Sequence, residues 1–244
     1  MTRDEEWLLE EKYGGITTAE FEADRERLAS GEPLGYVIGF QPFLGLKISL
    51  DSKPLIPRVE TEWWTDQLLS HVGRSTSYMG FLDLCAGSGA IGCAALARLP
   101  QAEVYFGELD PAHEATILKN IRQNGLDESR AHVSIGDLFE PFGDTTFAVI
   151  AVNPPYIPSE REIAQSVALY EPPLALYGGT DGLEVIRRIA SELPKHLAKG
   201  GVAWIECDSA HAREACALFA SEGLHAEIRT DQYSQPRILV VSFP

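Results

Sequence analysis

The chain has 244 residues, 45% of them hydrophobic, enough for one sizeable domain with an appendage. Its formal charge is −16, with 36 acids against 20 bases, which argues against a nucleic-acid partner held by phosphate neutralisation. The acidic start Met1-Thr2-Arg3-Asp4-Glu5-Glu6 lacks an apolar stretch, and no apolar run approaches about 18 residues, so neither a signal or transit peptide nor a membrane span is expected.

Residues 4 to 30 read as two helices. Trp7, Leu8 and Leu9 precede a break at Gly14-Gly15, and Thr17 or Thr18 caps a second helix in which Phe21, Arg25 and Leu28 recur at helical spacing. Counted from Met1 through Glu32, the chain's start holds ten acids and four bases. Glycines and prolines then punctuate two β-prone runs, Tyr36-Val37-Ile38 and Leu46-Lys47-Ile48-Ser49-Leu50, which read as a hairpin-like linker. Thr61 is placed to start a helix running through Leu69. The expected division is a helical cap over 1–34, a β-hairpin linker over 35–58 and the main domain over 59–244.

Strand and helix then alternate. Phe81 to Cys85 is a strand and Ala90 to Leu99 a helix; Glu103 to Gly107 is a strand, and Pro111 opens a helix to Asn124. His132 to Ile135 and Phe147 to Val152 are the third and fourth strands. Residues 159 to 182 lack a clear period. Leu183 to Leu197 is helical, Gly201 to Cys207 a fifth strand and Ser209 to Glu222 a helix, before two terminal strands near Ala226–Arg229 and Arg237–Ser242. The pattern predicts an α/β fold with a mostly parallel, doubly wound sheet.

The fourth strand ends in Asn153-Pro154-Pro155-Tyr156-Ile157-Pro158. Prolines donate no N–H, so the backbone leaves the sheet there. The Asn153 side-chain oxygen and the Pro154 carbonyl can accept both hydrogens of a planar NH2 group, and Tyr156 can pack its ring on that group. A rigid turn without chemistry is the simpler account of Asn-Pro-Pro alone. Three earlier strand ends favour the functional one. Asp83-Leu84-Cys85-Ala86-Gly87-Ser88-Gly89 is a glycine-rich strand-to-helix turn that lets a ligand approach the backbone. Glu108 ends the next strand, 19 residues after Gly89, where a carboxylate would bond ribose hydroxyls. Asp137 ends the third, where an adenine would lie against Leu138 and Phe139. Each acid alone could be a helix cap; together they mark a nucleoside-binding edge. In a doubly wound sheet the first and fourth strands are neighbours at the switch point, so the turn and Asn153 face one crevice. The cysteines, Cys85, Cys93, Cys207 and Cys216, show no metal spacing; no metal is expected, and a reduced cytoplasmic setting is.

These stretches resemble the protein-(glutamine-N5) methyltransferase family that modifies peptide chain release factors. The resemblance rests on residues 32 to 39 (Glu-Pro-Leu-Gly-Tyr-Val-Ile-Gly) and 55 to 62 (Leu-Ile-Pro-Arg-Val-Glu-Thr-Glu). It rests also on Asp83 to Gly89, Asn153 to Tyr156, Tyr170-Glu171-Pro172, Asp181-Gly182-Leu183 and Glu206. It covers roughly residues 32 to 244 and implies a Rossmann-like, seven-stranded class I fold that uses S-adenosylmethionine. Asp83, Cys85, Ala86, Gly87, Ser88, Gly89, Glu108, Asp137, Leu138 and Asn153 would hold that cofactor. Asn153, Pro154, Pro155 and Tyr156 would form the catalytic clamp, with Arg58 and Glu171 shaping the substrate entrance or, more simply, forming local salt bridges. The implied partner is the Gly-Gly-Gln loop of a release factor, read in part by the cap. The cap is shorter than the family's helical bundle, Val59 stands where the family has Pro, and Glu108 where it has Asp. Asn-Pro-Pro-Tyr is shared with methyltransferases acting on adenine, so an exocyclic amine of RNA or DNA is the alternative substrate. A non-catalytic cofactor-binding module is a third reading.

Overall fold

The computed structural model describes residues 1–73 and 79–244. The cap is built from α1 (Arg3–Tyr13) and α2 (Ala19–Ala29). Thr2 and Glu5 form a reciprocal capping box at the start of α1, and Gly14 ends it with φ 57°. Of the two candidate caps for α2, Thr18 is the one used. Leu8 and Phe21 pack against Val37 and Ile38, which lie not in a strand but in a short helix, α3 (Leu34–Ile38). The β-prone reading of Tyr36-Val37-Ile38 is therefore corrected. Propensity for strand is weak where tertiary burial decides: Pro33 precedes the helix, Gly39 stops it at φ 94°, and the three side chains find apolar cover and a hydrogen bond from Tyr36 Oη to the Pro54 carbonyl at 2.7 Å.

The linker hairpin pairs β1 (Phe40–Phe43) with β2 (Leu46–Ser49) in antiparallel register. Next come α4 (Val59–Val72), β3 (Met79–Leu84), α5 (Ala90–Arg98), β4 (Ala102–Glu108) and α6 (Glu114–Gln123). Helix α4 begins two residues ahead of Thr61, which is buried inside it rather than capping it. Asn120 of α6, fully buried, ties the hairpin down. It accepts from the Ser49 N–H at 2.7 Å and donates to the carbonyls of Ser49 and Ser88 at 3.1 and 2.8 Å. One side chain thus joins β2 to the loop after β3.

The remaining elements are β5 (Ala131–Ile135), β6 (Phe147–Val152), α7 (Gln165–Tyr170), α8 (Pro173–Leu176), α9 (Glu184–His196), β7 (Leu197–Glu206), α10 (Ala212–Ser221), β8 (His225–Thr230) and β9 (Pro236–Ser242). The stretch without a clear period thus holds two short helices. Seven strands form one sheet in the order β5-β4-β3-β6-β7-β9-β8. The first five are parallel, and β9 runs antiparallel to both its neighbours.

Alternate residues of each central strand feed two cores, as a parallel sheet covered on both faces requires. Phe81, Val149 and Ala151 pack under α4, α5 and α6; Leu82, Leu84, Ile150 and Val152 pack under α9 and α10. Helix α5 lies close on β4 because Gly92 has no side chain: a Cβ there would stand 2.2 Å from the Phe106 ring.

Candidate active site at the switch point

Strands β3 and β6 are hydrogen-bonded neighbours, with Leu84 opposite Val152. Each strand ends at that residue, so the glycine turn and the Asn-Pro-Pro-Tyr loop open side by side at the carboxyl edge. This is the position the switch-point rule assigns to a ligand.

The turn after β3 bends through left-handed backbone at Cys85 (φ 61°), Gly87 (φ 55°) and Gly89 (φ 76°). At Gly89 a Cβ would combine that strain with an approach of 3.1 Å to Ile117. Glu108, at the end of β4, reaches back under the turn. One carboxylate oxygen accepts from the Gly87 N–H at 2.7 Å and the other from the Asp110 N–H at 2.8 Å. Each oxygen keeps a further lone pair for a hydroxyl.

Asp83 lies behind the wall, not on it. It is fully buried and accepts from the Gly92 N–H at 2.8 Å, while its second oxygen has no hydrogen-bond partner among the described residues. Burial pushes its carboxyl well above the ordinary value; the Gly92 N–H opposes this and the Glu108 charge adds to it. Burial likewise raises the Cys85 thiol far above its usual value, so it presents a neutral sulfur.

The crevice is lined by Cys85, Ala86, Gly87, Ser88, Glu108, Asp137, Leu138, Asn153 and Pro155 of the sequence-derived set, and its volume, open mouth included, is about 1140 Å³. Asp137 lies at its edge, paired with Arg188 at 2.7 Å. Leu138, at φ 49°, faces in. Phe139 does not: it is buried and stacks on His196 at 4.4 Å, so of the two residues expected against an adenine only Leu138 lines the crevice.

A second cavity adjoins the first. Arg58, Pro154, Tyr156, Ile163 and Val167 line it, and Leu55, Asn153 and Ala175 belong to both. Asn153 therefore stands in the partition between crevice and channel. Its Nδ2 donates to Thr61 Oγ1 at 3.3 Å. Below it, Glu206 at the end of β7 is 1% exposed and accepts from Thr61 Oγ1 (2.7 Å), Trp64 Nε1 (2.7 Å) and Tyr156 Oη (2.8 Å). Burial, then the Glu206 charge and hydrogen bond, hold the Tyr156 phenol well above its usual value. Tyr156 is thus anchored by its hydroxyl while its ring borders the channel. Glu171, 3% exposed, accepts from the Ile56 N–H (3.1 Å) and Arg58 Nη2 (2.5 Å), strapping the linker to the segment after α7. Asp83, Gly89 and Glu171 support the walls; the other sequence-derived residues meet at them. Sequence reasoning missed Thr61 as a site residue. It stands 145 positions from Glu206, and a threonine beside a helix start reads as a cap.

Comparison with known proteins fits this geometry. The family model Methyltransferase small domain matches residues 63–170. A release factor glutamine methyltransferase of Chlamydia trachomatis serovar L2 is 34% identical over 206 residues, covering 83% of this chain and 69% of its own. The chain belongs to the release factor glutamine methyltransferase family. A ribosomal protein uL3 glutamine methyltransferase of Bradyrhizobium diazoefficiens is 32% identical over 200 residues, covering 78% of this chain and 61% of its own. Among solved structures, a methyltransferase from Pyrococcus furiosus superposes with a TM-score of 0.60 at 16% identity, over 90% of this chain and 97% of that one, a likeness of fold. The family member described here is an enzyme with a Rossmann-like, class I methyltransferase sheet. Methyltransferases of this kind draw on S-adenosylmethionine. The crevice fits such a molecule in its donor set: a glycine turn for close approach, a carboxylate with spare lone pairs, and apolar Leu109 and Leu138 for a flat base.

Proposed function

We propose that this enzyme methylates the side-chain nitrogen of the glutamine in the Gly-Gly-Gln loop of a peptide chain release factor. The observation that carries the reading is Asn153 in the partition between two cavities, one suited to a nucleoside and one to a side chain. The backbone of residues 85 to 88, Glu108, Asp137 and Leu138 would hold S-adenosylmethionine, with Glu108 on the ribose. When bound, that cofactor supplies an electrophilic methyl group on sulfur.

What the chain adds is orientation. A glutamine nitrogen is a poor nucleophile because its lone pair is delocalised. Asn153 Oδ1 and the Pro154 carbonyl accept its two N–H bonds and turn the nitrogen toward the crevice. Positioning of this sort is worth several kcal/mol, with about 7–11 as an outer range. The carboxylate closest to the clamp, Glu206, is already engaged by three donors, so the site offers no base ahead of transfer; as the N–C bond forms and the sulfonium S–C bond breaks, the proton shed by nitrogen would pass to water. Arg58, braced by Glu171, borders the channel through which the glutamine side chain enters.

The acidic cap, 1–34, is read as a docking element for a partner that carries basic surface for the ribosome. Removing residues 1 to 30 should then weaken release-factor binding at low salt and leave little effect at high salt. A truncated enzyme that folds and binds equally well at low salt ends that assignment. A partner in translation and four free cysteines support a cytoplasmic setting.

The likeness to a uL3 enzyme supports a second reading, a ribosomal-protein glutamine. Incubation with S-adenosylmethionine and, separately, release factor, uL3 and adenine-containing RNA, followed by mass spectrometry, decides. A single methyl on the Gly-Gly-Gln glutamine is expected. Methyl on uL3 alone moves the substrate within the class, and methyl on adenine alone overturns the class; the −16 charge weighs against the last.

A further inference from the structure

The two ends of an asparagine amide have the same shape and opposite hydrogen-bonding sense, so something must decide which end meets the substrate. At Asn153 that decision is traceable through three residues. Trp64 Nε1 can only donate, and it is bonded to Glu206 Oε2 at 2.7 Å. Thr61 Oγ1 lies 2.7 Å from the same oxygen, and Tyr156 Oη 2.8 Å from the other. With three donors converging on it, the carboxylate acts as acceptor throughout, so the Thr61 hydroxyl hydrogen is committed to it. Only lone pairs remain on Thr61 toward Asn153. The contact at 3.3 Å is then satisfied by the Asn153 NH2, and Oδ1 is the end left for the cavities. All three partners are buried: Glu206 at 1%, Thr61 at 3% and Trp64 at 0% exposure, so water does not compete for these bonds.

We propose that Thr61 and Glu206 form a relay that fixes the amide sense of Asn153, so that the clamp presents an acceptor and selects an NH2-bearing side chain. Thr61 and Glu206 are positioning residues in this scheme. The inference rests on the reading of Asn153 as the substrate acceptor and adds to it how that acceptor is kept in place. It also assigns a basis for discriminating glutamine from glutamate. A carboxylate in the channel would set oxygen against Asn153 Oδ1, and with the amide sense fixed Asn153 cannot turn to accommodate it.

The test is a matched series on the full-length enzyme, with S-adenosylmethionine and release factor as substrates. Thr61→Val keeps the shape and removes the hydroxyl; Thr61→Ser keeps the hydroxyl. Thr61→Val should lower kcat about 10–100-fold, in the range found when a supporting shell is removed or a reacting group misplaced. Its cofactor affinity by calorimetry should match the wild type, and Thr61→Ser should restore most of the rate. Thr61→Ala, which also lacks the hydroxyl and brings no second methyl into the buried site, should show the same kcat loss and serves as the measurement should Thr61→Val fail to fold. Glu206→Gln should keep most of the rate: Trp64 Nε1 and Thr61 Oγ1 share one oxygen, so the amide oxygen stays there, its NH2 turns to Tyr156 Oη, and the Thr61 hydroxyl remains committed. In Asn153→Ala, adding Thr61→Val should cause no further loss, since Thr61 acts through Asn153. A folded Thr61→Val with wild-type kcat, or losses that multiply in the double variant, overturns the relay. Wild-type activity in Asn153→Ala alone would instead remove the clamp reading beneath it.

Discussion

Two adjacent strands end in loops built on opposite chemistry. After β3 the chain turns through glycines in left-handed backbone, and the N–H groups of Ala86, Gly87 and Gly89 are taken by the Gly107 carbonyl, Glu108 and the Ala86 carbonyl. After β6 it turns through two prolines, which have no N–H to offer, so the wall is made of carbonyls and one side-chain amide. The first loop is bare of side chains at its glycines and permits close approach; the second is stiff and acceptor-rich. Both rest on a buried carboxylate, yet Asp83 under the first leaves one oxygen without a partner among the described residues while Glu206 under the second has three donors. The contrast teaches that two loops opening at one crevice edge can be built to different ends, one for close approach to the backbone and one for a rigid set of acceptors.

The contrast can be broken at four points. The largest effect is expected from Asn153→Ala. It should cut kcat about 10²–10³-fold, the usual loss for one positioned polar contact at a reacting centre, with cofactor affinity unchanged. Asn153→Asp keeps an acceptor and should retain part of the rate. Steady-state kinetics together with calorimetry show whether rate and affinity separate as required. Glu108→Ala should do the reverse. Losing a charged acceptor costs roughly 1.5–3 kcal/mol, read as weaker S-adenosylmethionine binding. Affinity equal to the wild type would detach Glu108 from the ribose. Gly89→Ala tests the backbone itself: at φ 76° and 3.1 Å from Ile117 it should cost about 1–2 kcal/mol, seen as a lower Tm in thermal unfolding.

Asp83→Asn should give the smallest change, since shape and the acceptor for Gly92 are kept. Because the folded carboxyl titrates well above its unfolded value, its contribution is fully present below about pH 3.9 and is lost as pH rises through the folded value. The variant should therefore gain on the wild type in Tm as pH rises from about 4 toward neutrality. A difference independent of pH would place an ionised Asp83 in the fold.

The strand ends were legible because the residues that leave a sheet differ in kind from those inside it. Val149 to Val152 gives way to Asn-Pro-Pro, and Phe81 to Leu84 to a glycine turn, so the meeting of the two loops followed from topology. Tyr36 to Ile38 were misread because their strand propensity yields to burial against Leu8 and Phe21, two contacts that no local window contains. Phe139 was misplaced because the direction of a side chain after a turn depends on Leu138 taking φ 49°. The support of the clamp was hidden for another reason. Thr61 and Glu206 come from α4 and β7, and a hydrogen bond spanning 145 residues leaves no trace in spacing.

The register of Leu84 against Val152 carries a consequence for how such an enzyme changes over time. The two loops begin one strand spacing apart, about 4.8 Å, a distance set by the backbone ladder rather than by any side chain. Everything threaded between them, from α5 through β5, can lengthen or shorten at its surface connections without altering that gap. The reacting centre is thus insulated from insertions, while the channel walls at Ile163 and Val167 remain open to recutting. New substrates would arise by reshaping the approach, with the centre inherited intact.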